Sequence, residues 1–265
     1  MGGAWGEAAR LPKPQSWACF YGAHLSSAAW RSLELIIADP DNLRAPSEAG
    51  PLRLAYVSAG EADERRWFWP QVQGKDYLIE PNPDWAGAHR VDLRSPDWRA
   101  LLISTVIPAA LARGWQGVML DTLDTAEYFE SSAPARFPGS IEAAAGFVRD
   151  LRAAHPEIII VVNNAFPVLE RAEEAIDGVL VEDLYTRCAP DKACVRPPKD
   201  EARRREEYMK KFKARTGKPV LVIIYAQPGE MKSRLVADSV KRARKAGFSP
   251  YVGGPTLERL GLVRP

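Results

Sequence analysis

Two carboxylic acids stand out because each directly follows a short apolar segment. Asp121 ends the segment GVMLD, and Glu182 follows GVLV at residues 178–181. Two carboxyl groups that face each other can catalyse a reaction when one is protonated and the other is ionised. Cleavage of a glycosidic bond needs such a pair, one group to protonate the leaving oxygen and the other to attack or to activate water. We take the two residues as the candidate catalytic pair. The alternative is a structural carboxylate that caps a helix or pairs with an arginine.

Further polar and aromatic side chains lie after other apolar segments or in the long segment at 59–94. Carboxylates and amides bind the hydroxyl groups of a sugar, and Trp or Tyr rings stack on its apolar faces. The predicted substrate-binding residues are Tyr21, Asp39, Ser58, Glu61, Trp85, Asp124, Asn164 and Tyr225. Trp67 is a second possible stacking platform, and both tryptophans have the alternative role of anchoring a loop. Gly253-Gly254 would serve as a phosphate cradle or as a plain turn.

Eight apolar runs must position these residues. Each is rich in Val, Ile or Leu, which is typical of strands buried on both faces of a parallel sheet. Most are separated by amphipathic stretches, which predicts a βα repeat. We therefore predict an α/β protein with a single (β/α)₈ TIM barrel over residues 17–265, preceded by a tail at 1–16; an open doubly wound sheet is the alternative. The runs span residues 17–21, 33–38, 52–58, 117–121, 158–164, 178–183, 219–226 and 250–254. In such a barrel the reacting groups lie at the carboxyl ends of the strands.

Four helices are predicted between the runs, over residues 95–114, 140–156, 200–219 and 229–247. Ser95 and Ser140 are the expected N-caps, and Pro108 predicts a kink or an early end in the first of these helices. The segments 59–94 and 184–199 interrupt the alternation, and long ordered loops of a barrel are usually functional.

Composition excludes several classes of protein. The chain has 265 residues, 46% of them hydrophobic and 26% charged, with a formal net charge of +2. The basic run Arg203–Arg205 alternates with acids and predicts a solvated helix face, so we expect no nucleic-acid partner. Motifs for dinucleotides, Walker A, HExxH and GxSxG are missing, and the three histidines are scattered; we therefore expect no cofactor and no metal.

Location and cysteine pairing are less constrained. The N-terminus has neither the basic nor the apolar region of a signal peptide, and no run approaches the ~20 apolar residues of a membrane span. We expect no membrane partner. The protein would be secreted if its native start has been trimmed, and cytoplasmic otherwise. Cys188 and Cys194 lie in one proline-containing loop, where a local disulfide and two free thiols are both open.

Five segments occur in an order that resembles glycoside hydrolase family 114. They are YVSAGEADE, NPDWAGAHRVDLRSPDWR, GWQGVMLDTLDTAEYF, VVNNAF and DGVLVEDLY, and the resemblance extends from about residue 17 to 252. It implies a barrel that cleaves α-1,4-linked galactosamine or N-acetylgalactosamine polysaccharide or oligosaccharide, with endo action expected. By similarity to retaining barrel enzymes, Asp121 would be the nucleophile and Glu182 the general acid/base. Swapped roles and an inverting mechanism stay open.

The sequence departs from many relatives at two strand ends. Asn163-Asn164 stands where Lys-Asn is common, and Ile224-Tyr225 where Glu-Tyr is common. Two other functions are alternatives to hydrolysis. One is a non-catalytic carbohydrate-binding barrel. The other is a phosphosugar lyase or isomerase with a metal held by Asp39, Glu61 and Asp121.

Overall fold

The structure is a computed structural model that describes residues 11–44, 50–188 and 192–265. Its strands are β1 (Trp17–Phe20), β2 (Leu35–Ala38), β3 (Leu52–Ser58), β4 (Glu61–Asp63), β5 (Leu78–Pro81), β6 (Ala88–Val91), β7 (Gly117–Asp121), β8 (Ile159–Asn163), β9 (Gly178–Val181), β10 (Val220–Tyr225) and β11 (Ser249–Gly253). Its α-helices are α1 (Ser27–Ser32), α2 (Trp69–Val72), α3 (Pro96–Leu101), α4 (Ile107–Leu111), α5 (Thr125–Ser132), α6 (Ser140–Ala154), α7 (Phe166–Ala172), α8 (Lys199–Thr216) and α9 (Arg234–Lys245).

Eight of these strands form one parallel sheet that curls into a nearly closed barrel. Their order is β1-β2-β3-β7-β8-β9-β10-β11, and every neighbouring pair is parallel. The first and last strands meet where the Trp17 indole N–H donates to the Ser249 carbonyl at 3.1 Å and its ring packs 5.4 Å from that of Tyr251. Each strand falls in or overlaps a predicted apolar run, so the predicted barrel is confirmed.

The strands are apolar throughout because both of their faces are covered. Every residue of β2, β8 and β9 is buried, the inward side chains against the barrel interior and the outward ones against helices. In these three strands the one polar side chain is that of Asn163, at the end of β8. The candidate reacting groups lie at this rim of the barrel.

Helix boundaries follow local chemistry. Ser95 caps α3 as predicted, and its hydroxyl accepts from the Trp98 N–H. A π-helical turn at Leu102–Val106 separates α3 from α4, just before Pro108, which has no N–H to donate. The prediction that Ser140 is an N-cap is wrong. Gly139 takes the cap position with φ of 74°, and Ser140 is the first residue of α6.

The long segment 59–94 contains a second sheet that the sequence did not predict. Strands β4, β6 and β5 form an antiparallel sheet in that order. The two ends of this insert meet, because the Val91 N–H donates to the Gly60 carbonyl at 2.8 Å. The strands have three or four residues each, too short to give a clear periodic signal.

Helix α8 corrects the prediction of a solvated basic run. Arg203 and Arg204 are exposed, but Arg205 lies on the face directed at the barrel, beside the buried Ala202 and Glu206. Glu206 accepts from Arg242 at 2.6 Å and from the Tyr185 hydroxyl at 3.1 Å.

Cys188 and Cys194 form a disulfide, which selects one of the two alternatives left by the sequence. The Cys194 N–H also donates to Glu230 at 3.3 Å. Leu11 of the predicted tail is buried. The division at residue 16 stays a prediction because residues 1–10 lie outside the described part. Across the described ranges, no helix combines the length and apolarity needed to cross a membrane.

Candidate active site

The two candidate catalytic carboxyls lie on either side of one strand end. Asp121 ends β7, Glu182 directly follows β9, and β8 runs between these two strands. The side chain of Asn163, the last residue of β8, joins them. Its amide nitrogen donates to Asp121 Oδ1 at 2.8 Å and to Glu182 Oε1 at 3.1 Å. Both acids therefore face the same point in the barrel mouth.

This shared donor fixes the spacing of the carboxyl groups. The two bond lengths, 2.8 and 3.1 Å, are the sides of a triangle whose corner is the amide nitrogen. The two hydrogens of an amide group point about 120° apart, so the two oxygens lie roughly 5 Å from each other. A sugar carbon and its leaving oxygen fit between carboxyls at this spacing.

Glu182 has the environment of a general acid. Burial and then the negative charge of Asp121 raise the pKa of Glu182 to about 8. Hydrogen bonds from Tyr225 and Asn163 act in the opposite direction but do not cancel the rise. The Tyr225 hydroxyl stays protonated, since burial raises its own pKa well above the ordinary value, and it can donate to the carboxyl. Glu182 is thus mostly protonated at neutral pH.

Asp121 is held as a hydrogen-bond acceptor. Its Oδ1 accepts from the backbone N–H of Thr122 at 2.8 Å as well as from Asn163, and the Tyr56 hydroxyl bonds to the carboxyl. These donors fix the orientation of the carboxyl group. Thr122 has a φ of 60°, which is rare for a β-branched residue, and its hydroxyl contacts Ser58 at 2.9 Å. The turn after Asp121 is therefore tied to the end of β3.

A second acidic group lies beside the pair. Glu61, at the start of β4, accepts from Asn82 at 2.7 Å, and burial is the largest cause of its raised pKa, with smaller contributions from Asp121 and Asp124. Burial and the charge of Asp121 raise the pKa of Asp124 to about 6. Asp121, Asp124 and Glu61 thus form one acidic wall of the mouth, with the cation Arg90 nearby.

The predicted site residues fall into two groups. Seven of them meet around the mouth. Six do so through the contacts described above, and the seventh, Tyr21, packs its ring edge-on against Tyr56 at 5.1 Å. They are Asp121, Glu182, Tyr21, Ser58, Glu61, Asp124 and Tyr225.

The other three are engaged elsewhere. Asp39 forms an ion pair with Arg66 at 2.8 Å. The Asn164 side-chain oxygen accepts from Arg205 at 2.8 Å. Trp85 lies in the turn between β5 and β6 with 67% of its surface exposed. The two roles predicted for Trp85, stacking on substrate and anchoring a loop, both stay predictions.

Sequence reasoning missed three residues of the site. Asn163, Tyr56 and Asn82 contact the acids directly. Strand alternation carries the signal for Tyr56, because it lies two residues before Ser58, which pairs with Asp121 in the sheet. No comparable signal marks Asn82, which depends on the unpredicted insert. Next to the mouth, a shallow cleft is lined in part by Ser58, Glu61 and the half-exposed Trp67.

Comparisons with known proteins cover almost the entire chain. The model of glycoside-hydrolase family GH114 matches residues 4–264. An uncharacterized protein of Deinococcus radiodurans is 30% identical over 263 residues, which cover 92% of this chain and 81% of that protein.

Two solved structures share the fold. The glycoside hydrolase domain of PelA from Pseudomonas aeruginosa matches with a TM-score of 0.80 at 26% identity, covering 94% of this chain and 98% of that one. Aspergillus fumigatus Ega3, solved in complex with galactosamine, matches with a TM-score of 0.74 at 18% identity, covering 98% and 100% of the two chains. The second similarity is one of fold alone.

Proposed function

The chain belongs to glycoside hydrolase family GH114, and we propose that it hydrolyses α-1,4-linked galactosamine or N-acetylgalactosamine polysaccharide by internal cleavage with retention of anomeric configuration. Asp121 is the proposed nucleophile and Glu182 the proposed general acid/base. The observation that carries this proposal is the single amide of Asn163 that contacts both carboxyls.

The carboxyl spacing supports retention. Retaining glycosidases hold their two carboxyls about 5–5.5 Å apart, and inverting enzymes about 6.5–9.5 Å apart to admit a water. The two oxygens bonded to Asn163 cannot lie further apart than about 6 Å, the sum of the two bonds, and the amide geometry gives roughly 5 Å. A spacing of this size is shorter than the one that admits a water in inverting enzymes, which supports direct attack by Asp121.

The proposed reaction has two steps. In the first, the Asp121 carboxylate attacks the anomeric carbon while Glu182 gives its proton to the glycosidic oxygen, which leaves as a hydroxyl group. In the second, the Glu182 carboxylate removes a proton from water, the water oxygen attacks the anomeric carbon, and Asp121 is released. The raised pKa of Glu182 and the donors around Asp121 support this division of roles.

Electrostatics support a substrate that carries free amino groups. Glu61 and Asp124 lie beside the catalytic pair, and an acidic wall attracts an ammonium group. Ega3, which shares the fold, was crystallised with galactosamine. Asp124 has a pKa of about 6 and is ionised at neutral pH, so binding of the amino sugar should strengthen as the pH rises through 6.

Product analysis on a partially deacetylated α-1,4-galactosamine oligomer tests the proposal. Proton NMR should detect the α-anomer of the product first, and mass spectrometry should show internal fragments. Asp121→Asn should lower kcat by at least about 10³-fold. Asp150→Asn is the control, since Asp150 is exposed on α6 and pairs with Arg99 at 3.6 Å; it should stay near the wild-type rate. Initial release of the β-anomer, or near wild-type cleavage by the Asp121 variant, would refute the mechanism.

A further inference from the structure

Arg205 reaches from the outer helix α8 to the catalytic rim. It follows two exposed arginines, yet only 18% of its own side chain is exposed. The guanidinium lies 5.2 Å from the centre of the Phe166 ring and 3.8 Å from Glu201. Its position is therefore set by packing and by charge, unlike that of an ordinary surface arginine.

The guanidinium of Arg205 ties two strand ends together. One nitrogen donates to the Asn164 side-chain oxygen at 2.8 Å and to the Glu182 carbonyl at 2.8 Å. A second nitrogen donates to the Asp183 carbonyl at 3.2 Å. Asn164 follows β8, and the other two residues follow β9, so one side chain spans the ends of both strands.

These strand ends need such support. Asn164 and Asp183 have φ angles of 48° and 55°, in the left-handed region. The Asn164 oxygen that accepts from Arg205 also accepts from the Glu182 N–H at 3.3 Å. The peptide groups on both sides of the Glu182 side chain are thus held by Arg205, directly or through Asn164. A small rotation of either group would swing the Glu182 carboxyl away from Asp121.

Arg205 also places a positive charge close to Glu182. Its charge attracts the ionised form of Glu182. The other groups that interact with Glu182 include the acids Asp121 and Asp183 and the uncharged side chains of Tyr225, Asn163, Cys19 and Tyr21. A nearby cation favours the ionised form of a carboxyl group.

We propose that Arg205 is a positioning residue for Glu182, which holds the acid at its distance from Asp121 by clamping the ends of β8 and β9. The reaction it serves rests on the proposed function. The clamp itself is a property of the structure and can be tested without turnover.

Three variants test the clamp. Arg205→Met removes the charge and the hydrogen-bond donors. Arg205→Lys keeps the charge but lacks the planar set of guanidinium donors. Arg204→Met is the matched control on the exposed face of the same helix. Arg205→Met should lower kcat about 10- to 100-fold with little change in KM, and should move the alkaline limb of the pH profile upward by about 0.5–1 unit, since a cation is lost. Arg205→Lys should restore the alkaline limb and part of kcat. Arg204→Met should match the wild type, and thermal melting checks that all three fold.

A carbon-13 NMR titration of Glu182 gives the readout that needs no substrate, with Glu182→Gln used to assign the signal. The apparent pKa of Glu182 should rise in Arg205→Met and stay unchanged in Arg204→Met. The inference would be overturned if Arg205→Met and Arg204→Met had the same Glu182 pKa and the same kinetic constants. It would also be overturned if Arg205→Met lost activity without a shift of the alkaline limb and Arg205→Lys restored none of that activity. If the wild type cleaves no galactosamine oligomer while the NMR shift is present, the proposed function fails and the clamp stands.

Discussion

Replacement of Glu182 by glutamine should abolish the alkaline limb of activity. A carboxyl with the ordinary pKa of 4.5 is about 0.3% protonated at pH 7, whereas one with a pKa of about 8 is about 90% protonated. Burial and the charge of Asp121 thus increase the amount of competent acid about 300-fold. In the wild type, kcat/KM should fall as the pH rises through about 8. The glutamine side chain does not titrate, so the residual activity of the Glu182→Gln variant should show no such fall.

The assay compares two leaving groups over pH 5–10. Cleavage of the galactosamine oligomer requires a proton on the leaving oxygen, so Glu182→Gln should lose about 10²- to 10⁴-fold. The dinitrophenolate group of a 2,4-dinitrophenyl galactosaminide leaves without that proton. With this substrate the first step of the variant should proceed at close to the wild-type rate and give a burst of dinitrophenolate. The second step should be slow because no base activates water. Azide, which attacks without a base, should restore turnover.

Stability provides the folding control for this variant. The folded-state pKa of Glu182 lies above the unfolded value, so the stability that this group contributes is complete below about pH 4.5 and is lost as the pH rises through about 8. Glu182→Gln stays neutral. It should therefore have a higher Tm than the wild type at pH 8.5 and an equal Tm near pH 4.5. An alkaline limb that persists in a well-folded Glu182→Gln protein would refute the assignment of Glu182 as the acid.

Two further variants test the neighbourhood of the pair. Asn163→Ala removes the donor that serves both carboxyls, a typical hydrogen bond being worth about 0.5–1.5 kcal/mol. Steady-state kinetics should show kcat reduced about 10- to 100-fold with KM nearly constant. A rate within twofold of the wild type would contradict the bridging role. Trp85→Ala removes an exposed indole worth about 1 kcal/mol or more as a stacking surface. In this variant KM for long polymers should rise about fivefold or more, while KM for trimers should not change. Trp85→Phe should keep most of the affinity. Equal KM values for Trp85→Ala and the wild type would show that the ring does not bind substrate.

The barrel was predictable because its strands carry a signal that loops and helices do not. Strands such as β8 and β9 are covered on both faces and must be apolar without interruption. The acids were predictable for a related reason, since a carboxyl directly after such a run has only the rim to occupy. Asp121 and Glu182 met this condition, and the bridge between them at Asn163 is consistent with it.

The errors have equally local causes. Asn164 was chosen for the site although Asn163 contacts the acids, because the strand continues to Asn163 and the chain then turns at a positive φ, which sends the next side chain toward Arg205. Arg205 was grouped with its exposed neighbours. Helical spacing from Ala202 to Met209 places it on the barrel side, so this signal was present in the sequence. The short strands of the insert depend on contacts with each other, which no single segment of sequence reveals.

The insert at 61–91 leaves and rejoins the barrel at a single point, where Gly60 and Val91 share a hydrogen bond. Gly60 is packed so closely that a β-carbon there would collide with the Thr122 carbonyl, so the junction itself tolerates little change. What lies beyond the junction is different. A segment whose ends already touch can change the length of its exposed turns at small entropic cost and without shifting the register of the barrel strands. Glu61 and Trp85 lie in this insert, so the substrate contacts predicted for them can change without moving Asp121 or Glu182.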